Sequence, residues 1–168
     1  LGLVRNRKDF FWDRVMFTIH NLQGKPIAFA GRILKKDVKA PKYVNSPESE
    51  IYHKSDVLYG LYQARQSVRK QDNVYMVEGY TDVISLHQHG VHNVVATSGT
   101  SLTSGQAKLV KRQTENVTLL YDGDKAGIKA ALRGVDVLLV EGLNVRVVIL
   151  PDGEDPDSYM QKVGVTAF

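Results

Sequence analysis

A chain of 168 residues with 43% hydrophobic content can bury the core of one domain or two small ones. The absence of cysteine excludes disulfides, cysteine-ligated zinc and thiol catalysis, and allows an intracellular setting. Charge is split along the chain: residues 1–70 carry 14 Lys and Arg against 6 Asp and Glu, net +8, and residues 71–168 carry 8 against 12, net −4, which suits a polyanion for one half and cations for the other. The apolar runs are too short to span a bilayer and no signal peptide opens the chain, so a soluble protein is expected. Beginning at Leu1 without a methionine and stopping at Phe168, the sequence reads as a piece excised from a larger protein.

In chain order, the second half alternates regularly. "VYMV" (74–77) reads as a short buried strand. "TDVISLHQH" (81–89) has helical spacing, with Gly90 as its stop. "VHNVVAT" is the next strand and "SGTSL" a loop, after which Thr103 and Gln106 form a capping box for a helix reaching about Gln113. "NVTLLY" (116–121) is a third strand, "KAGIKAALRGVDVLLVEG" a third helix, and "NVRVVIL" a fourth strand that ends in the turn "PDGEDPD". Strands alternating with helices imply a parallel sheet with right-handed crossovers, whose ligands sit beyond the carboxyl ends of the strands.

Acids gather at that edge. Glu78 follows the first strand in "VEGYTD", Asp122 and Asp124 follow the third in "YDGD", and Asp152, Asp155 and Asp157 follow the fourth. Each has an ordinary structural explanation, in a helix N-terminus, an N-cap or a solvated turn. Convergence of three strand ends on one edge is harder to ascribe to chance. Carboxylate oxygens without cysteine favour Mg²⁺ or Mn²⁺ over zinc. A calcium loop starting at Asp122 is excluded, because Ala126 and Arg133 stand where ligands belong. A phosphatase Asp-x-Asp motif fits poorly, since Lys125 and Ala126 follow the pair. Gly79 and Gly123 let backbone approach an ion or phosphate, although tight turns also select glycine. His87, His89 and His92 read as surface or packing residues.

"VEGYTD", "TSGTSLT", "YDGDKAG" and "LPDGEDPD", in this order and spacing, resemble the toprim domain shared by DNA primases, type IA and II topoisomerases and some nucleases. The longer phrases are narrower and resemble bacterial replicative DNA primase of the DnaG type. "DRVMFTIHNLQGKPIAFAGRIL", "PKYVNSPES" and "YHKSDVLYGLYQA" resemble the basic amino-terminal part of that family's RNA polymerase domain. The resemblance implies an α/β fold: a toprim domain over 71–168, with a mainly parallel Rossmann-like sheet flanked by helices, preceded by a smaller mixed α+β basic subdomain over 1–70. It implies primer synthesis by nucleotidyl transfer, with Glu78, Asp122 and Asp124 as catalytic inner ligands of two or more Mg²⁺ or Mn²⁺ ions. Asp82, Asp155 and Asp157 complete or support the metal cluster, and Asp152 is a lesser candidate. Arg32, Lys42 and Lys54 match positions that serve template or nucleotide phosphates, with Arg14 a weaker match. Single-stranded DNA, ribonucleoside triphosphates and, through a region absent here, the replicative helicase are the implied partners; no membrane and no zinc are expected in this piece, and the setting is the bacterial cytoplasm. Two alternatives stay open: another toprim enzyme, such as a nuclease or topoisomerase fragment, and a non-catalytic nucleic-acid-binding module.

Overall fold

The computed structural model describes residues 3–35, 39–151 and 153–164. The chain forms two compact units, residues 1–53 and 54–168. The second therefore starts before the charge boundary after Lys70.

In the first unit, β1 (Val4–Arg5) and β2 (Lys8–Asp9) pair antiparallel across Asn6 and Arg7, both at positive φ, as a tight two-residue hairpin requires. A separate antiparallel sheet has the order β3 (Arg14–His20), β4 (Pro26–Ile33), β5 (Tyr43–Asn45). The β3–β4 turn is held by the Asn21 side chain, whose Oδ1 accepts from the Gln23 and Lys25 amides at 3.0 and 2.9 Å, the local bonding that makes Asn a turn residue. Phe17, Ile19, Ile27, Ala28 and Ala30 are buried along the paired strands.

The second unit opens with a 3₁₀ turn (Lys54–Asp56) and α1 (Leu61–Gln71), which buries Leu61, Ala64 and Val68 on one face. There follow β6 (Val74–Val77), α2 (Tyr80–Gln88), β7 (Val94–Ala96), α3 (Ser104–Lys111), β8 (Asn116–Tyr121), α4 (Lys125–Val140), β9 (Asn144–Ile149) and α5 (Pro156–Val163). The four strands make one parallel sheet in the order β7-β6-β8-β9. Tyr59 adds an antiparallel bridge to Ala96. Helix α2 packs on β7 and α5, and α4 packs on β8, β9 and α3. The central strands are mostly apolar, with Met76, Val77, Leu119 and Leu120 at most 1% exposed, as expected of a parallel sheet covered on both faces, and the buried Thr118 hydroxyl donates to Asn73 Oδ1 at 3.1 Å. Among the described residues no helix is long and apolar enough to cross a membrane.

The expected alternation is present, with three local differences. The strand expected from Val91 begins at Val94, and Asn93 just before it is tied to the start of β6, its Nδ2 donating to the Asn73 carbonyl at 2.9 Å and its own carbonyl accepting from the Tyr75 amide at 2.8 Å. The capping box of α3 forms as expected, Thr103 Oγ1 accepting from the Gln106 amide at 3.1 Å, but the helix stops at Lys111. The "PDGEDPD" segment is a turn only at its start. Asp155 caps α5 by accepting from the Ser158 amide at 2.7 Å, and Pro156 takes the first helical position, where its missing N–H and fixed φ suit a helix start.

Candidate functional site

The sheet order brings the acidic phrases together. Strands β6 and β8 are neighbours, with Met76 beside Leu119, so Glu78 and the Asp122–Asp124 pair stand just past adjacent carboxyl ends. Asp82 lies in the first turn of α2. Asp155 and Asp157 lie at the start of α5, which follows β9 and packs on α2. Glu78, Asp82, Asp122 and Asp157 are partly buried, whereas Asp124 and Asp155 are exposed. Asp152 lies outside the described residues.

Several of these acids already serve the fold. Asp82 Oδ2 accepts from the Gly79 amide at 2.9 Å. Asp124 Oδ1 caps α4, accepting from the Gly127 amide at 2.7 Å. Asp157 Oδ1 accepts from Ser85 Oγ at 2.5 Å and from Gln161 Nε2 at 2.9 Å, tying α5 to α2. Each carboxylate is thereby oriented, and the bonds to amides and hydroxyls leave its negative charge in place.

That charge is poorly compensated. Burial, followed by the negative charges of Asp122, Asp82 and Asp124, pushes Glu78 above its ordinary range, with Arg133 opposing. Burial pushes Asp82 up to about 6 against the Gly79 hydrogen bond, helped by Asp122, Asp155 and Asp157. All six described acids thus share one electrostatic neighbourhood, in which protons or cations are the natural compensation. Among the described residues, no three His, Asp or Glu side chains stand close enough to hold one ion together. The donor set suits Mg²⁺ or Mn²⁺ nonetheless, because Mg²⁺ is commonly held by one or two carboxylates with water and substrate phosphate filling its remaining positions.

The glycine of "YDGD" answers to the protein's own backbone. A Cβ at Gly123 would lie 2.2 Å from the Leu150 carbonyl oxygen and 2.6 Å from that of Pro151. Gly127 is crowded in the same way, its Cβ position lying 2.3 Å from the Asp122 carbonyl oxygen. These contacts bring the β8–α4 loop against the end of β9, and so set the Asp122–Asp124 pair beside the segment leading to Asp155. An ion or phosphate is not needed to explain either glycine.

Beside Glu78 is a cavity of about 290 Å³ lined by Thr97, Thr100, Ser101, Tyr121 and Arg133, among others. Its loop follows β7, with Ser98 and Gly99 both at positive φ. Burial pushes the Tyr121 hydroxyl up to about 12, with Glu78 adding to the rise and Arg133 opposing. The sequence reads this segment as a loop and, in "TSGTSLT", as one of the phrases behind the toprim resemblance, but assigns it no site residue, and reads Arg133 only as a residue that breaks a calcium-loop pattern. The hydroxyl-rich "TSGTS" was the available signal.

The basic candidates divide between the units. In the first, Arg32 on β4 lies opposite Tyr43 on β5 with its guanidinium 5.7 Å from the ring centroid, and exposed Lys42 directly precedes β5. Arg14 Nη1 donates to the carbonyls of Gly31, Pro41 and Lys42 at 3.2, 2.9 and 3.3 Å, so it anchors the segment that carries Lys42. Lys54 belongs to the second unit, where its Nζ donates to the Gly99 carbonyl at 3.4 Å. Of the histidines, His87 and His92 pack edge to face at 4.3 Å and His89 Nδ1 lies 2.8 Å from the Ser85 carbonyl, in keeping with packing roles.

Comparison with known proteins gives the fold its class. Residues 75–160 match the Toprim-like family, and residues 2–65 match the N-terminal domain of the DNA primase catalytic core. The chain belongs to the Toprim-like family, preceded by the N-terminal domain of a DNA primase catalytic core, and is similar throughout to bacterial DnaG-type primases. It is 50% identical over 162 residues to the DNA primase of Halalkalibacterium halodurans, covering 96% of this chain and 27% of that protein. A DNA primase domain from Pseudomonas aeruginosa superposes with a TM-score of 0.91 at 46% identity, covering 99% of this chain and 54% of the other. A DnaG primase catalytic domain bound to single-stranded DNA gives 0.86 at 45% identity, covering 95% and 52%. The chain spans about a quarter of the length of the curated relatives it matches.

Proposed function

We propose that the protein to which this chain belongs synthesises short RNA primers on single-stranded DNA by metal-dependent nucleotidyl transfer, and that this chain carries the catalytic edge. The observation that supports it best is the gathering of carboxylates past the carboxyl ends of β6 and β8, where burial and neighbouring acids push Glu78 and Asp82 above their ordinary range. In this reading Glu78, Asp122 and Asp124 hold two or more Mg²⁺ or Mn²⁺ ions, and Asp82, Asp155 and Asp157 complete the cluster. Bound divalent cations would supply activation of the 3′-hydroxyl and neutralisation of charge at the transferring phosphate. The capping bonds of Asp124 and Asp155 and the bond from Gly79 to Asp82 fix these carboxylates on rigid helix starts. The proton of the attacking hydroxyl is assigned to no side chain.

Arg32, Lys42 and Lys54 serve template or nucleotide phosphates. Such interactions give affinity that is independent of sequence, which a primase needs along a changing template. Ribonucleoside triphosphates are the substrates, and the replicative helicase is engaged through parts of the protein outside this chain, in the bacterial cytoplasm. The deciding experiment supplies the full-length protein with single-stranded DNA and ribonucleoside triphosphates, with and without Mg²⁺. Metal-dependent primers support the reading. Cleavage of nucleic acid instead of joining would favour a nuclease or topoisomerase, and binding without either would favour a non-catalytic module.

Template binding at Lys42 has a salt signature. Lys42→Ala in the full-length protein is expected to weaken binding of a fluorescent single-stranded oligonucleotide. The slope of log affinity against log salt should become shallower by about 0.7 for each phosphate that is no longer neutralised. An unchanged slope with an intact fold would move Lys42 from the template to the incoming nucleotide, which titration of the same variant with nucleotide would then have to show.

A further inference from the structure

We propose that the cavity between the 97–102 loop and helix α4 is a subsite for the terminal di- or triphosphate group of a nucleotide, with Arg133 as its principal anion-binding side chain. The inference rests on the nucleotidyl-transfer reading and adds to it the place of the phosphate tail.

Arg133 lines the cavity from the middle of α4. Its charge reaches Glu78 and Tyr121, yet among the described residues it closes no ion pair or hydrogen bond with either. An arginine that faces an acid across a cavity without pairing leaves room for a ligand between them, and its planar fork suits phosphate oxygens. Thr100 and Ser101 also line the cavity, the Thr100 hydroxyl donating to the Thr97 carbonyl at 3.0 Å. A second cation approaches the same loop, since Lys54 Nζ donates to the Gly99 carbonyl at 3.4 Å, and Gly99 also lines the cavity. Arg133 on the cavity wall and Lys54 bonded to the Gly99 carbonyl both favour an anion there.

Size and shape select the kind of anion. At about 290 Å³ the cavity is at the small end of ligand pockets, large enough for a pyrophosphate or triphosphate group. A nucleic-acid backbone is a continuous diester chain that must enter and leave, which favours an open groove. A terminal phosphate tail can end inside a concavity. Glu78 at the margin repels any anion unless a divalent cation lies between, so binding should require Mg²⁺.

The test uses the full-length protein and titrates inorganic pyrophosphate and inorganic triphosphate, with and without Mg²⁺, into the parent, Arg133→Gln and Arg133→Lys. The parent is expected to bind both only with Mg²⁺. Arg133→Gln should weaken that binding about ten-fold or more, the usual effect of removing a charge-assisted hydrogen bond, and Arg133→Lys should recover part of it. Affinity for a single-stranded oligonucleotide should not change. Because Arg133 is exposed, a measurement without a variant is also available: modification of Arg133 by an arginine-specific dicarbonyl, read by mass spectrometry, should be suppressed by Mg²⁺ pyrophosphate. The proposal is overturned by unchanged pyrophosphate affinity in Arg133→Gln, by absent binding in the parent, by lack of protection, or by an equal loss of oligonucleotide binding, which would make Arg133 a template-binding residue. Primer synthesis by the parent separates the two readings: if primers form while any of these contrary results is found, the function stands and the subsite falls.

Discussion

Asp124→Asn is expected to lower primer synthesis by the full-length protein by about 100-fold or more while leaving its thermal stability almost unchanged. The two effects separate because Asp124 has two jobs. Its Oδ1 caps α4 through the Gly127 amide, and asparagine is as good an N-cap as aspartate. What the substitution removes is the negative charge beside Glu78, one of the charges that raises the Glu78 carboxyl. Asp124→Ala removes both the cap and the charge, and should cost a further ~1 kcal/mol of stability. Primer yield and a thermal melt on the same preparations read the two jobs independently. Near-normal synthesis by a folded Asp124→Asn protein would remove Asp124 from the catalytic set.

Without metal, the protein is expected to lose stability as pH rises from about 4 to about 6. Asp82 is raised from an ordinary 3.8 to about 6 in the fold, mainly by burial. The folded chain therefore keeps a proton that the unfolded chain releases. The contribution is fully present below the unfolded pKa and is lost as pH passes through the folded one. It amounts to roughly 2–3 kcal/mol at most, and Glu78, shifted in the same direction, adds to it. Divalent cations should restore stability above pH 6 and have little effect near pH 4, where these acids are protonated. Melts across this range in chelator and in Mg²⁺, for the parent and for Asp82→Asn, isolate the effect from general acid unfolding. The parent should be the more pH-dependent of the two, and parallel curves would show that Asp82 is not held in the way described.

Much of the toprim unit was legible because its central strands are short, mainly apolar runs bounded by turn residues. "VYMV" has no polar face to misplace, and in "NVTLLY" only Asn116 and Thr118 near the start are polar. The acidic edge was legible for a related reason, since a parallel sheet places every strand's carboxyl end on one side. Helix α1 was harder, because its apolar stripe is only Leu61, Ala64 and Val68 among polar residues and becomes evident once it packs on β7. Helix α5 was hidden by the composition of "PDGEDPD", in which the Asp155–Pro156 start signal sits inside residues that favour a turn. The crowding that requires Gly123 was not legible, because it comes from the backbone of Leu150 and Pro151, distant in sequence. Nor was the pairing of Asp157 with Ser85, which depends on the packing of α5 against α2.

The claim on which the rest depends is that the edge formed by Glu78, Asp122 and Asp124 binds the divalent cations. Crystals of the full-length protein soaked in Mn²⁺ and measured at the manganese absorption edge test it most directly. The account predicts anomalous peaks at that edge, within coordination distance of oxygens from Glu78 and from the Asp122–Asp124 pair. Manganese bound only elsewhere, or carboxylates left without an ion at saturating Mn²⁺, would contradict it.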